Sequence, residues 1–523
     1  MSGHIKQLRL YNFKRFQTLD LNLSPDLNVL IGDNESGKST VLQAIDLAIS
    51  GSRSKVESYG IDHLMNRTAI EQFDSIPNKS IQDLPSIRVE VFLSEQYNLD
   101  TNGKCYLNAN SACDGLVLLC EPDQQYHQDI LNIISDPNCK NIPYELYSIS
   151  CFTFSGKTFN SYTKPYRDIL IDGSTVNAEM AMKQYVKDIY CANVDTRKRS
   201  INQSKYREMK MRYETTVLSH DCQDTDYKFT LKNSIKNNLE SDITISENNI
   251  EIDNQGRGKQ CFVKTKLAIS NARGIETLLL EEPENHLSHT SMQQLISLVK
   301  EATGCQLFVS THSNMICSGL NLQKALIFSP HANSVVSLRD VQDDTSKFFQ
   351  KAPDNNLLQF ILSQRVILVE GNAEYILMDG LYEKEQGFSS YHNNIHIISV
   401  GGLKFLRYLE IAKQLNIKVA VITDNDGNYE KNINEKYIDY QNEPHIKIFS
   451  DSNESNTTFE ICVYNDNKEL CDKLFQSSQG NRVIQKYMLS NKAECAFTIL
   501  NNGLENFVTP SYIKNAIKWI SEN

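Results

Sequence analysis

The sequence lacks a long apolar run. Its best uninterrupted apolar stretch, residues 115–120, is far shorter than the ~20 residues that a membrane-spanning helix requires. The opening residues, MSGHIKQLRLYNFKRF, also lack the apolar centre of a secretory signal peptide. We therefore expect a cytoplasmic protein with no membrane partner.

Closely spaced cysteine pairs are missing as well. The chain has 13 cysteines, yet none forms a C-x-x-C pair of the kind found in zinc ribbons and redox dithiols. Cys105, Cys113 and Cys120 lie within one short segment of the sequence, but their spacings match no metal site. The odd number and the scatter favour reduced thiols that pack as small apolar side chains.

Positive charge is not in excess either. Lys and Arg number 53 against 64 Asp and Glu, which gives a formal net charge of −11. This total argues against a protein that coats nucleic acid passively, although a local basic groove remains compatible with it. Residues 197–212 hold seven basic side chains and one acid; Tyr206 lies among them and Tyr213 directly follows. They predict either a nucleic-acid contact or a solvated helix face.

The 523 residues and the globular composition predict two to four domains. Strand and helix patterns alternate in residues 1–335 and again in residues 364–523, which predicts an α/β fold with parallel sheets in both halves. Residues 160–250 are more polar and helical, and we interpret them as an inserted arm that serves oligomerisation. Residues 336–363 are mixed and polar, and we assign them to a linker.

A glycine-rich loop follows an apolar strand in the first half. Residues 32–39 read GDNESGKS and fit G-x-x-x-x-G-K-[ST], a loop whose backbone N–H groups surround a phosphate. A helix pattern follows, and its N-terminal end favours negative charge. Lys38 would reach the β- and γ-phosphates of ATP, and Ser39 would bind Mg²⁺. The other candidate nucleotide-binding residues of this segment are Asn34, Gly37 and Thr40.

An apolar strand that ends in acids is the expected partner of this loop. Residues 277–284 read TLLLEEPE. Glu281 would support the Mg²⁺ ion, and Glu282 would orient and deprotonate the attacking water.

These motifs resemble those of ABC-type ATPases of the SMC/RecF group. Residues 8–16 are similar to the opening strand of that group, and residues 253–260, DNQGRGKQ, resemble its signature loop. The resemblance implies that Gly258 contacts the γ-phosphate held by a second protomer and that His312, in the STHS of residues 310–313, senses that phosphate. Glu281 stands where the family usually has Asp, and the signature lacks the Ser-Gly-Gly order. We therefore expect slow ATP turnover and a site that senses nucleotide.

Acidic residues end two apolar strands in the second half as well. Residues 366–371 read VILVEG, and residues 419–427 read VAVITDNDG. Glu370 and Glu374 follow the first strand, whereas Asp424 and Asp426 follow the second. Carboxylates that converge in this way repel one another unless cations neutralise them, and oxygen ligands favour Mg²⁺ or Mn²⁺. Two such ions can promote phosphodiester cleavage.

The combination resembles a Toprim domain, and an ABC ATPase followed by Toprim resembles the OLD-family (overcoming lysogenization defect) nucleases. Residues 458–460, 492–496 and 510–517 are similar to later motifs of that family. The resemblance implies one metal held by Glu370, Asp424 and Asp426, and a second completed by Glu374 and Glu460. It also implies that Lys492 stabilises charge on the phosphate in the transition state.

The resemblance implies a fold in which an N-terminal ABC/SMC-like ATPase domain precedes a C-terminal, Rossmann-like Toprim domain. The expected function is an ATP-regulated, Mg²⁺- or Mn²⁺-dependent DNA endonuclease, similar to anti-phage defence effectors of the Gabija or retron type. A tRNA-cutting Toprim ribonuclease and a non-catalytic SMC/RecF-like clamp are the alternatives. Expected partners are DNA or RNA as substrate, a homodimer or tetramer, and a helicase or a reverse transcriptase with its DNA.

Overall fold

The computed structural model describes residues 3–522 with gaps at 96, 98–99, 136–140, 173–185, 188, 192, 219–229, 233–238, 271–274, 330–334, 353–355, 403 and 477–482. The chain divides into two compact units. The first comprises residues 1–312 and 328–335, and the second comprises residues 313–327 and 336–523.

An antiparallel sheet of six strands opens the first unit. In one of its strands Leu19 and Leu21 are buried while Asp20 between them is exposed, which is the two-residue period of a half-buried strand. The pairing order is Phe16–Asn22, Ile5–Phe13, Ile87–Leu93, Cys113–Pro122 and Asn102–Gly103, and Tyr147–Thr153 also pairs with Cys113–Pro122.

A parallel sheet carries the chemistry-bearing motifs of the first unit. Within this unit its order is Leu27–Gly32, Gln306–Thr311, Thr277–Glu281 and Asp168–Asp172. Glu281 is in register with Ser310 on one side and with Asp172 on the other. The phosphate-loop strand, the acidic strand and the histidine strand therefore end at the same edge of the sheet.

The helices of the first unit are mostly short. The longest buried one, Lys38–Ser50, has 11 of its 13 residues buried and lies inside the unit. The described helices are Lys38–Ser50, Arg53–Tyr59, Ile61–Leu64, Arg67–Asp74, His127–Ile134, Thr196–Thr216, Leu239–Asp242, Arg257–Ser270 and His289–Glu301.

The segment 160–250, predicted as an inserted arm, is only partly separate from the sheet. Its strand Asp168–Asp172 belongs to the parallel sheet, because Ile169 and Ile171 are buried there. The exposed helix Thr196–Thr216 and the small strand pair Ser246–Glu247 and Ile250–Glu251 follow. Residues 173–185, 219–229 and 233–238 of the predicted arm lie outside the described residues.

The second unit is built on a four-stranded parallel sheet. Its order is Ile395–Ser399, Arg365–Val369, Lys418–Ile422 and Ile446–Phe449. Val369 is in register with both Ile422 and Ser399, so the residues that follow these strands meet at one edge. The described helices are Asn314–Gly319, Asp343–Lys351, Leu357–Leu362, Asn372–Gln386, Phe405–Leu415, Phe459–Asp466, Lys468–Phe475, Ile484–Ser490, Lys492–Asn502 and Ser511–Ser521. Strands Ala325–Phe328 and Val335–Ser337 lie where the chain passes from one unit to the other.

The stretch 336–363 differs from the linker that its mixed composition predicts. It forms the helices Asp343–Lys351 and Leu357–Leu362. Phe349 and Phe360 are fully buried, and both contact the Tyr408 ring edge to face, at centroid distances of 5.1 and 5.0 Å. This part of the chain is folded into the second unit because its two phenylalanines fill the core around Tyr408.

Both halves therefore contain the parallel α/β sheets that the sequence predicts. Among the described helices, none combines the length and the apolar character that crossing a membrane requires.

Candidate functional site

The phosphate-loop motif lies between strand Leu27–Gly32 and helix Lys38–Ser50. Gly37 caps the helix with φ 106°, and a Cβ there would lie 2.5 Å from the Phe16 ring. A Cβ on Gly32 would lie 2.7 Å from the carbonyl oxygen of Phe328. Any larger side chain at either glycine would clash, so the close packing of the loop requires both glycines.

Lys38 reaches back into the loop that precedes it. Its Nζ donates hydrogen bonds of 2.8 Å to the carbonyl oxygens of Gly32 and Asp33. Burial lowers the pKa of Lys38, and the nearby carboxylate of Glu282 opposes that shift. Asn34 lies exposed in the loop, whereas Thr40 is buried in the first turn of the helix. The ammonium group is thus held at the centre of the loop, as phosphate binding requires.

Glu281 ends its strand close to Ser39. Burial raises the pKa of Glu281, and a hydrogen bond from the Ser39 side chain opposes the shift. The two candidate Mg²⁺-supporting residues are therefore together. Glu282 follows with φ 43°, a left-handed backbone conformation that non-glycine residues seldom adopt, and its N–H donates to the Ser310 carbonyl oxygen at 3.1 Å.

His312 faces the acids of the same edge. Its Nδ1 lies 3.5 Å from Glu282 Oε1 and 3.7 Å from Glu284 Oε1. Glu284 also accepts hydrogen bonds from the Thr311 hydroxyl at 2.6 Å and from the His312 N–H at 3.0 Å. The predicted general base and the predicted γ-phosphate sensor are therefore in contact, and Glu284 holds the histidine segment in place.

Gly258 lies in the first turn of helix Arg257–Ser270. A Cβ at this position would be 2.1 Å from the carbonyl oxygen of His286. The close approach of two backbone segments explains the glycine there. Its expected contact with a nucleotide held by a second protomer stays a prediction.

Two further residues, Lys14 and Asp172, lie near Glu281 in addition to the site residues predicted from the sequence. Lys14 has φ 48° and is half-buried, and burial lowers its pKa while Glu281 opposes the shift. Asp172 is in register with Glu281 and contributes to the raised pKa of Glu281. The residue pattern offered a signal for Asp172, because its strand, like that of Glu281, is apolar and ends in an acid.

The second unit brings most of its predicted carboxylates to one edge of its sheet. Glu370 directly follows strand Arg365–Val369, and Glu374 lies in the first turn of helix Asn372–Gln386. Gly401 and Gly402 turn the chain after the adjacent strand, and the Gly402 N–H donates to the Glu370 carbonyl oxygen at 3.0 Å. The glycine turn after this strand is therefore in contact with Glu370.

Asp424 and Asp426 follow the neighbouring strand Lys418–Ile422. Glu460 lies in the first turn of helix Phe459–Asp466, and Lys492 begins helix Lys492–Asn502. Lys492 Nζ lies 3.0 Å from Glu460 Oε2, and Glu460 Oε1 is buried without a hydrogen-bond partner. The later motifs are separate in sequence, yet they fold onto the same edge.

The carboxylates interact strongly. Burial, together with Glu370, Glu374 and Glu460, raises the pKa of Asp424 to about 8. Burial, together with Glu460 and Glu370, raises the pKa of Glu374 to about 7. Lys492 opposes both shifts. Four carboxyl groups therefore share a space that holds less positive charge than their full ionisation requires.

The donor chemistry of this edge fits a divalent cation. It offers carboxylate oxygens, including the unpartnered Oε1 of Glu460, and hard cations such as Mg²⁺ prefer such ligands. In the described part of the chain, however, no three His, Cys, Asp or Glu side chains already form a metal-binding group. The fit therefore rests on charge and ligand type.

Asn425 organises the turn that carries both aspartates. It is 1 % exposed, and its amide donates to the carbonyl oxygens of Asp451 at 2.8 Å and Asn453 at 3.0 Å. Its Oδ1 accepts from the Gly427 N–H at 2.8 Å. The middle residue of the Asp-x-Asp motif thus fixes the turn, although the motif itself leaves this position open.

Lys436 is a second lysine beside the carboxylates. It follows the π-helical turn Glu430–Glu435, whose Asn432 side chain donates to the Asn425 carbonyl oxygen at 2.9 Å. Burial lowers the pKa of Lys436, while Glu370 and Asp426 oppose the shift. No sequence motif surrounds this residue, so only the fold reveals it.

Family comparisons match both units. The family described as "AAA ATPase domain" matches residues 4–317. The family described as "Overcoming lysogenization defect protein-like, TOPRIM domain" matches residues 361–426.

Curated relatives match parts of the chain. The "Old nuclease" of Escherichia phage P2 is 23% identical over 181 residues, which covers 32% of this chain and 30% of the relative. "DNA replication and repair protein RecF" of Lysinibacillus sphaericus is 45% identical over 42 residues, 8% of this chain and 11% of the relative. The chain thus spans less than a third of the length of these two relatives.

Solved structures show distant similarity. A structure of the SmcHead bound to the C-winged helix domain of ScpA covers 65% of this chain and all of its own, with TM-score 0.36 and 12% identity. The C-terminal region of the Burkholderia pseudomallei OLD protein covers 30% of this chain and 97% of its own, with TM-score 0.25 and 17% identity.

Proposed function

Because the chain belongs to the AAA ATPase domain family and carries an OLD-like Toprim domain, we propose that it is a nucleotide-regulated DNA endonuclease. The observation that carries the proposal is that Glu370 and Asp424 follow paired parallel strands, while Glu374 and Glu460 lie in the first turns of two helices. Burial, together with the other three carboxylates, raises the pKa of Asp424 there. A clamp without hydrolytic chemistry has no need of such mutual repulsion.

In this proposal Glu370, Asp424 and Asp426 hold one divalent ion, while Glu374 and Glu460 complete a second site. Mg²⁺ or Mn²⁺ bound there would supply an activated water and would stabilise the leaving oxygen of a phosphodiester. Asn425 orients the two aspartates through its hydrogen bonds to residues 451 and 453. Lys492 lies 3.0 Å from Glu460 and would stabilise the negative charge on the phosphate in the transition state.

The first unit would bind ATP with Mg²⁺. Lys38 would contact the phosphates, and Ser39 and Glu281 would support the ion. Glu282, whose Oε1 lies 3.5 Å from His312 Nδ1, would orient the attacking water. Asn34, Gly37 and Thr40 complete the pocket, and Gly258 would serve a second protomer. Since Glu281 replaces the usual Asp, turnover is slow and nucleotide acts chiefly as a signal.

The proposal also covers the oligomeric state of the protein and its biological role. A nucleotide site completed by a second protomer requires at least a dimer, and Toprim packing would give a tetramer. We place the protein in the cytoplasm as an anti-phage defence effector of the Gabija or retron type. Its second component would be a helicase or a reverse transcriptase with its DNA.

Cleavage assays test the proposal. Plasmid DNA is incubated with the full chain and Mg²⁺ or Mn²⁺, with and without ATP. We expect the wild type to cleave the plasmid and Asp424→Ala to abolish cleavage. Lys38→Ala should still cleave, but ATP should no longer change its cleavage rate. A parallel incubation with tRNA tests the ribonuclease alternative, which predicts cleavage of the tRNA. Absence of cleavage of either nucleic acid would reject the nuclease and leave the clamp.

A further inference from the structure

One helix of the first unit concentrates positive charge in an acidic chain. Thr196–Thr216 holds seven Lys or Arg and two Glu, and none of its residues is buried. The chain as a whole carries a net charge of −11. A helix of this kind attracts a polyanion, whereas the remainder of the surface repels one.

The inward face of this helix uses part of that charge internally. Arg199 Nη1 lies 3.8 Å from Glu240, and Lys210 Nζ lies 3.4 Å from Asp242. The Tyr206 hydroxyl also donates to Asp242. Arg199, Tyr206 and Lys210 lie seven and four positions apart, so they occupy one face. They attach the helix to the short segment Leu239–Asp242.

The outward face keeps the charge that is not used. Arg197, Lys198, Lys205 and Arg207 are all exposed. Within the part of the chain that the structure describes, no carboxylate forms an ion pair with any of these four side chains. Arg212, by contrast, is paired with Glu208 at 2.6 Å. With respect to the residues that the structure describes, these four cations are therefore available to an external ligand.

The spacing of the four cations suits a phosphate backbone. From Arg197 to Arg207 the helix rises ~15 Å, over which one strand of DNA presents about four phosphates. Stacking on bases would require several exposed aromatic rings. Tyr206 is engaged with Asp242, which leaves Tyr213 as the exposed aromatic residue of this helix. Contacts to the backbone of a duplex therefore fit better than contacts to unpaired bases.

We propose that Arg197, Lys198, Lys205 and Arg207 form a docking surface for the phosphate backbone of duplex DNA, separate from the carboxylate site. This inference rests on the proposed function only in its choice of DNA as the ligand, because docking of DNA requires no cleavage. Ile201, Met209 and Met211 are exposed on the same helix, so contact between two copies of the chain is the competing explanation.

Salt-dependent binding tests this surface. In a full-length Asp424→Ala background, which prevents cleavage, the four residues are changed to Gln together. The matched control removes four exposed charges elsewhere, by changing Lys104, Lys300, Lys468 and Lys473 to Gln. Binding of a fluorescein-labelled duplex is followed by anisotropy over a range of salt concentrations. Circular dichroism and light scattering monitor folding and assembly.

We expect the helix variant to lose affinity and the slope of log K against log salt to fall by about three to four, because each phosphate contact contributes about 0.9. The control should keep the slope of the parent. Equal slopes in both variants would overturn the inference, and so would a helix variant that changes oligomeric state while its DNA affinity is unchanged. If the wild type cleaves plasmid although the helix variant binds like the control, only the docking surface is rejected. If the parent protein binds no duplex at all, the inference fails together with the proposed substrate.

Discussion

Asp424 is a residue whose burial and acidic neighbours favour its neutral form. Its pKa rises from 3.8 to about 8, so between these values the unfolded chain releases a proton that the folded chain keeps. The free energy of unfolding of the metal-free protein therefore falls as pH rises through this range. Asp424→Asn removes the group, and we expect its Tm to exceed that of the wild type by a margin that grows between about pH 4 and pH 8.

Scanning calorimetry in EDTA measures this margin. The exposed Asp439 provides a matched Asp→Asn control, for which no growing margin is expected. A margin for Asp424→Asn that stays constant with pH would show that its neighbours do not repel it.

Lys436 supports a second prediction at this scale. Glu370 and Asp426 attract its ammonium group, and we infer that this group also contacts the substrate phosphate in the proposed reaction. We expect Lys436→Ala to lower the cleavage rate about tenfold, which corresponds to about 1.4 kcal/mol, and Lys436→Arg to restore part of it. The exposed Lys431 gives the control Lys431→Ala. An unchanged rate in Lys436→Ala would contradict the assignment.

Single residues also mark how far sequence reasoning reaches. Glu370 and Asp424 could be found because an apolar strand that ends in an acid is a local pattern, and parallel strands bring such ends together. Lys436 and Asn425 could not, because their roles depend on a π-helical turn and on hydrogen bonds to residues 451 and 453. Motifs therefore identify the acids of the edge, and the fold identifies the groups that orient them.

At the scale of elements, the two helices within 336–363 show why composition alone misled. The helix Asp343–Lys351 is mostly polar and hides the apolar LLQFIL of Leu357–Leu362, yet Phe349 and Phe360 are fully buried against Tyr408. Their burial depends on a partner more than 40 positions away, which composition does not reveal. The strand Asp168–Asp172 is similar, since only its pairing with Thr277–Glu281 shows that it belongs to the sheet.

This packing makes a prediction about stability. Phe360→Ala removes a ring that lies 5.0 Å from Tyr408, and the cavity should cost about 3–5 kcal/mol. The exposed Lys347 of the preceding helix provides the control Lys347→Ala, for which we expect little change. Chemical denaturation followed by circular dichroism measures both. A loss below about 1 kcal/mol in Phe360→Ala would mean that this segment behaves as the linker first predicted.

The candidate nucleotide site lies in the first unit and the candidate metal site lies in the second, and ligand-linked stability should report the two sites independently. A ligand at 100 times its Kd stabilises the folded state by about 2.7 kcal/mol. With Mg²⁺ constant, ATP should raise the melting transition of the first unit, and Lys38→Ala should remove this shift alone. Mn²⁺ without nucleotide should raise the transition of the second unit, and Asp424→Asn should remove that shift alone.

Calorimetry of the full chain distinguishes the two shifts, because each variant serves as the control for the other. If Lys38→Ala also abolished the Mn²⁺ shift, the carboxylate edge could not be an independent cation site, and the division between nucleotide sensing and cleavage would have to be abandoned.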